Sequence, residues 1–324
     1  MKKSDTETKD TVSSLPIRAV NFWRTLNSEE RVQMLGCLGF TGSLVVLFGL
    51  PMISLMRHAA GTEIHSHILL IPFIFAYLLR IKLHELPRVY EPSPGWAMIP
   101  LAGGAAAYAA SWNLDNSGAL SRNDSLSLTA LAFVLLIVGG GFLFAGRRWM
   151  SVAAFSMAFL AFMIPLPDGV LDALETASKI ASAEVADVFF TATHTPVLRD
   201  GALFQLPGMV IEVAQECSGI RSSYVLFITS LLVSHLFLKT SWCRVVLVAF
   251  VIPLGIVRNG FRILVIGLLC IHSGPQMIDS PIHHKGGPVF FALSLIPLFL
   301  LLWWLRRGER GIVVVVRRVR ENDE

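Results

Sequence analysis

The sequence predicts an all-α, polytopic membrane bundle of about eight transmembrane helices, with one short extracytoplasmic β-hairpin. Three observations predict it. Of 324 residues, 54% are hydrophobic and only 15% are charged, with a mean hydropathy of +0.62, whereas soluble chains average about 25% charged residues. The apolar residues gather into stretches at 33–56, 67–81, 95–113, 127–145, 149–166, 219–238, 245–271 and 288–305, each near the ~20 residues that cross ~30 Å of hydrocarbon. None of them alternates like a barrel strand, and a lipid-facing segment that satisfies its own backbone is then a helix. This composition excludes a soluble cytosolic enzyme, a disulfide scaffold and a disordered tail.

The elements follow in order. Residues 1–31 are polar and mixed in charge, with no apolar core before a small-residue cleavage site, so they read as a cytoplasmic tail. The membrane domain takes residues 32–305, and 306–324 form a basic cytoplasmic tail. With the amino terminus inside, nineteen Lys and Arg fall in inside segments and five outside: Arg57, Arg122, Lys179, Arg199 and Lys285. That bias puts both termini in the cytoplasm. The net charge of +4 and pI near 9.0 therefore mark cytoplasmic loops and not a nucleic-acid partner.

One long segment, 167–218, breaks the serpentine on the outer side. In its first half Asp168, Asp172, Glu175, Lys179 and Ser182 lie at helical spacing, opposite Val170, Leu174, Ala177, Ala181 and Val185. That pattern fits an amphipathic helix on the outer leaflet, or one packed on the other spans. Next come Leu203-Phe204-Gln205-Leu206, a Pro207-Gly208 turn and Met209-Val210-Ile211-Glu212-Val213, which read as the hairpin. No internal repeat marks a second domain.

Three segments on that face carry chemistry. Glu216-Cys217-Ser218-Gly219-Ile220-Arg221 opens the sixth span. A cysteine at a helix amino end sees unpaired N–H groups and the positive end of the macrodipole, which favour thiolate. Arg221 adds to that field and Glu216 opposes it. The alternatives for Cys217 are an inert apolar residue or a disulfide to Cys270; no CxxC spacing points to zinc or thioredoxin-type chemistry. In the seventh span, Arg258, Asn259 and Arg262 interrupt an apolar run. From a start near Val245, the arginines lie about 20 and 26 Å along the helix axis at ~1.5 Å per residue, in the outer leaflet and on one face. Two arginines and an asparagine at one level line a polar cavity, where a single arginine would snorkel to the headgroups. The loop before the eighth span holds Asp279, His283, His284 and Lys285. A histidine there is suited to acid/base work on a thiol, or is merely solvated. His58, His65, His67, His194 and His272 share that side but show no metal-binding spacing, and no cofactor is expected. Cysteine, arginine and histidine together suit acyl transfer through a thioester: a thiolate nucleophile, an imidazole acid/base and a guanidinium donor to the oxyanion.

From about Ser66 to Trp304 the chain resembles the exosortase/archaeosortase family of membrane transpeptidases. The resemblance rests on ordered motifs: Ser66-His67 with Leu70, Pro72 and Tyr77-Leu78-Leu79; Ile164-Pro165-Leu166-Pro167; Leu206-Pro207-Gly208 with Val213 and Glu216-Cys217-Ser218-Gly219-Ile220-Arg221-Ser222; Asn259-Gly260-Phe261-Arg262 after Arg258; and His283 with Gly287 before Phe290-Phe291. It implies a cysteine protease/transpeptidase that cleaves a carboxy-terminal sorting signal of exported proteins: a Pro-Glu-Pro-like motif, a transmembrane helix and a basic cluster. Cys217 would carry the acyl-enzyme, with Arg258 or Arg262 beside it and His283 or His284 completing the set. Glu216, Arg221, Asn259 and His67 are the expected substrate-binding residues. The implied partners are the exported substrates, membrane lipid and a lipid or glycan acceptor at the cell surface. A polytopic transporter or exopolysaccharide-export component would also account for an outward Arg/His pocket, but not for the surroundings of Cys217; a lipid acyltransferase would share the chemistry with a different acyl donor.

Overall fold

A computed structural model describes residues 28–62, 64–87, 91–206, 209–213, 219–274 and 287–322. The chain divides into two compact units, Met1–Pro167 and Asp168–Glu324. Among the described residues, five helical runs are long and apolar enough to cross a membrane: Arg31–Gly61, Arg122–Val152, Ile220–Phe237, Ser241–Ser273 and Gly287–Glu309; a bent pair around 164–167 makes six if counted as one span. The protein is an integral membrane protein and mostly helical. The other expected stretches are helical too, but shorter, broken or diluted with Ala, Gly and polar residues.

The first unit holds α1 (Ser28–Gly61), a 3₁₀ turn (Ser66–Leu70), α2 (Ile71–Lys82), α3 (Pro94–Asn116), α4 (Arg122–Gly140) with a π turn (Gly141–Ala145), α5 (Gly146–Val152), α6 (Ala154–Phe159) and a second 3₁₀ turn (Leu160–Met163). In the expected span at 67–81, the 3₁₀ turn shortens the α-helix to twelve residues. α3 and α4 pack closely because small residues face the contact. A Cβ on Gly104 would come 2.8 Å from Leu136 Cγ and 3.1 Å from the Ala132 carbonyl oxygen, and one on Gly139 would come 2.6 Å from Leu101. Apolar helices in lipid gain nothing from hiding from each other, so close backbone approach and interhelical hydrogen bonds hold them. Ser111 Oγ lies 2.9 Å from Thr129 Oγ1 across this pair. Two further bonds strap the proline segment to α4: Asn123 Nδ2 donates to the Leu166 carbonyl at 2.8 Å and Ser127 Oγ to that of Pro165 at 2.9 Å. α1 adds Phe48, fully buried against Tyr108 and Phe133.

The second unit comprises α7 (Asp168–Ala192), strands β1 (Leu198–Asp200), β2 (Leu203–Leu206) and β3 (Met209–Glu212), then α8 (Ile220–Phe237), α9 (Ser241–Ser273) and α10 (Gly287–Asn322). The two expected strands pair antiparallel, with Leu203 opposite Glu212 and Leu206 opposite Met209; the expected Pro207-Gly208 turn lies outside the described residues. The structure adds a third strand, β1, antiparallel to β2. Three residues carrying Arg and Asp gave no alternating apolar signal, and pairing with β2 supplies what the local sequence does not. On the buried side Phe204 and Leu206 join Phe190 of α7, with the Phe190 and Phe204 rings 5.5 Å apart. Ion pairs Lys179–Glu212 at 3.3 Å and Arg199–Glu184 at 3.3 Å tie sheet to helix at the surface.

α7 packs on α9 through Ala183, Ala186 and Phe190. Gly260 and Gly267 of α9 make room, since Cβ atoms there would meet Val185 at 2.8 Å and Phe190 at 2.6 Å. Val170 and Leu174, on the expected apolar face, stay exposed. Of the two sequence readings of this helix, packing against another helix therefore holds for its carboxy-terminal half. At the far end, Glu309 of α10 accepts the N–H groups of Lys239 and Thr240 at 2.7–3.2 Å, satisfying donors that the start of α9 leaves open.

Candidate functional site

α9 carries polar residues where its neighbours are apolar. Arg258 is 7% exposed and Asn259 2%, and Arg262, one turn on, is half-buried. A guanidinium carries five N–H donors, so one that is nine-tenths buried must find acceptors inside the protein. Arg258 finds them at the start of α8. Its Nη2 donates to the Gly219 carbonyl and to Ser223 Oγ, each at 3.0 Å. Its Nη1 is buried and has no hydrogen-bond partner among the described residues.

Gly219 makes this contact available. It caps α8 in the left-handed region, φ +71° and ψ 4°, which costs an L-residue roughly 1–2 kcal/mol but glycine almost nothing. A Cβ there would also fall 2.9 Å from Cγ and Oδ1 of Asn259. The turn therefore presses against α9, and its carbonyl is crowded with donors: Ser223 N–H at 3.0 Å, Ser222 Oγ at 3.1 Å and Arg258. Further along, Gly255 has no Cβ to collide with Ser223 Oγ, which would lie 2.6 Å away. At this level α8 and α9 thus meet through Gly219, Ser223, Gly255, Arg258 and Asn259.

Of the residues expected at the site, Arg258 and Asn259 converge on Gly219, two positions after Cys217 in the chain. Arg221 stands exposed on the first turn of α8. Glu216, Cys217, His283 and His284 lie outside the described residues. His67 is buried in the first unit, where its Nδ1 lies 3.1 Å from the Ile64 carbonyl and its ring also bonds the backbone of Phe162. Cys270, the disulfide candidate, is a buried free thiol; Cys37 and Cys243 are free as well. The His58 and His65 rings lie tilted against each other with centroids 5.4 Å apart, and among the described residues no three His, Cys, Asp or Glu converge as a metal site.

Sequence reasoning passed over Ser223 and the Gly219 carbonyl. A signal existed: Ser223 lies four residues after Gly219, one helical turn, and so shares its face. Nothing in the sequence, however, pairs that face with Arg258.

An arginine with one arm saturated and the other buried and open can offer an N–H to an oxygen that gains negative charge, in surroundings where that donation counts for more than in water. No curated protein and no solved structure matches the chain. A family model described as transmembrane exosortase matches residues 56–300, about three quarters of its length. The chain belongs to the transmembrane exosortase family.

Proposed function

We propose that this protein is a cysteine-dependent transpeptidase that cleaves the carboxy-terminal sorting signal of exported proteins and passes them to a cell-surface acceptor. The observation that carries the reading is Arg258: buried, held by one arm to the carbonyl of Gly219, two positions after Cys217, and with Nη1 taken up by no described residue. In the first step the Cys217 thiolate attacks the scissile carbonyl of the substrate. A C–S bond forms, the C–N bond breaks, and His283 or its neighbour His284 delivers a proton to the departing amine. Arg258 Nη1 donates to the oxyanion of the tetrahedral intermediate. In the second step an acceptor nucleophile loses its proton to the same histidine, attacks the thioester and releases Cys217. Of the two candidate arginines, Arg258 takes the oxyanion role because it is the more deeply buried; Arg262 then faces the substrate's backbone or carboxylate.

The reading places both termini in the cytoplasm and the site on the extracytoplasmic face. Glycosylation or thiol-labelling tags at Gly201 and Ser280 report the outside, and one at Gly308 the inside; a cytoplasmic report at Gly201 removes the site from exported substrates. The chemical test is a trap. Stopped with acid during turnover, the wild-type protein carries a hydroxylamine-labile adduct on the peptide containing Cys217. Absence of that adduct while substrate is being cleaved rejects the thioester route.

A further inference from the structure

The geometry points to Ser223 as the positioning residue for Arg258, fixing which guanidinium arm is offered to substrate. The inference rests on Arg258 acting as oxyanion donor and deepens that reading. A terminal guanidinium nitrogen has two hydrogens. Those of Arg258 Nη2 have two acceptors, the Gly219 carbonyl and Ser223 Oγ, at 3.0 Å each. Nη1 has none among the described residues and is buried. Buried polar groups are nearly always satisfied, and a buried charged N–H that no described side chain or carbonyl takes up is suited to donate to an incoming oxygen.

Ser223 sets this asymmetry because the Gly219 carbonyl alone would not. One acceptor holds a guanidinium at a point and leaves it free to swing; two acceptors on the same nitrogen define a direction. The serine is itself immobilised. Its N–H donates to Gly219, fixing it in the first turn of α8, and its hydroxyl sits where a Cβ on Gly255 would be only 2.6 Å away. The open arm therefore points the same way before substrate arrives. A donor held in advance is worth more to a transition state than one that must be oriented during the reaction. The acceptor suited to Nη1 is the carbonyl oxygen of the scissile bond, more strongly in its tetrahedral, anionic form.

Two measurements on the full-length protein test this separately. The first reads geometry alone: NMR of ¹⁵N-arginine-labelled protein in detergent, with the Arg258 side-chain signals assigned by their loss in Arg258→Lys. Two distinct Nη signals are expected in the wild type, merging in Ser223→Ala and separating again in Ser223→Thr. Unchanged Arg258 signals in folded Ser223→Ala overturn the proposal. The second reads chemistry: single-turnover cleavage of an exported reporter ending in Pro-Glu-Pro, an apolar helix and a basic cluster. Ser223→Ala is expected to slow acylation about tenfold at unchanged KM, and to add nothing in an Arg258→Lys background. A full tenfold loss in that background assigns Ser223 another role and overturns the proposal. If the wild type leaves the reporter uncleaved, the failure belongs to the sorting reading, and the NMR result still decides Ser223.

Discussion

The α3–α4 pair of the first unit and the α8–α9 pair of the second are built by the same means and finish differently. In both, glycines let backbones approach and hydroxyls bridge the helices: Ser111 with Thr129 in one, Ser223 with Arg258 in the other. In the first pair the bridge is neutral, and Ser127 is anchored on a backbone carbonyl of the proline segment. In the second pair the bridge is a buried cation with one arm left open among the described residues. A neutral pair that closes on itself serves assembly, because its alternative is an unsatisfied group in hydrocarbon. An open charged arm destabilises the free protein, and that cost persists in a fold when the arm is satisfied during function.

The predictions run along that contrast. The largest effect is expected at Cys217, where Cys217→Ala and Cys217→Ser abolish processing of an exported substrate, at least about 10³-fold, while membrane insertion persists. Alanine at Cys37, Cys243 or Cys270 leaves processing near wild type; an equally inactive Cys270→Ala would tie that thiol to the site. Next comes Arg258→Lys, which keeps the charge but loses the two-armed geometry, and should lower turnover about 10²–10³-fold in a single-turnover assay. Arg262→Lys should lose about tenfold or more. Wild-type acylation by both variants would make α8–α9 a structural pair like α3–α4, and the contrast would vanish.

Gly219→Ala should cost about tenfold or more in acylation, because a Cβ collides with Asn259 and strains the left-handed turn. Its Nη signals for Arg258 should move as well, which separates displacement of the carbonyl from general unfolding. The smallest effect belongs to the first unit. Thr129→Val removes the Ser111 partner without changing side-chain shape, and should lower stability by about 0.6 kcal/mol, the average for interhelical hydrogen bonds in a membrane protein. Thermal unfolding in detergent should shift slightly while kcat and KM hold. A change in kcat at Thr129 would show that the two pairs are not functionally separate.

Legibility in the sequence followed the range of the interaction. Helices came from apolar runs, and the β2–β3 hairpin from two short apolar segments around Pro207-Gly208, because these signals lie within a few residues of each other. Strand β1 was missed because its three residues form a strand only once β2 is beside them. For α7 the sequence left a helix on the outer leaflet and one packed on the other spans equally open, and burial of Ala183 and Ala186 decides for packing in its carboxy-terminal half; small residues suit a close-packed interface, a purpose that hydropathy does not register.

The sequence by itself determined that this is a helical membrane protein with Arg258, Asn259 and Arg262 set inside an apolar run, since charge there is expensive wherever the chain folds. Only the tertiary structure decided which groups Arg258 meets. Gly219 and Ser223 lie 39 and 35 positions from it, and their distances depend on how two helices cross. That crossing is set by glycines, which hydropathy scarcely registers and whose effect is the absence of a side chain.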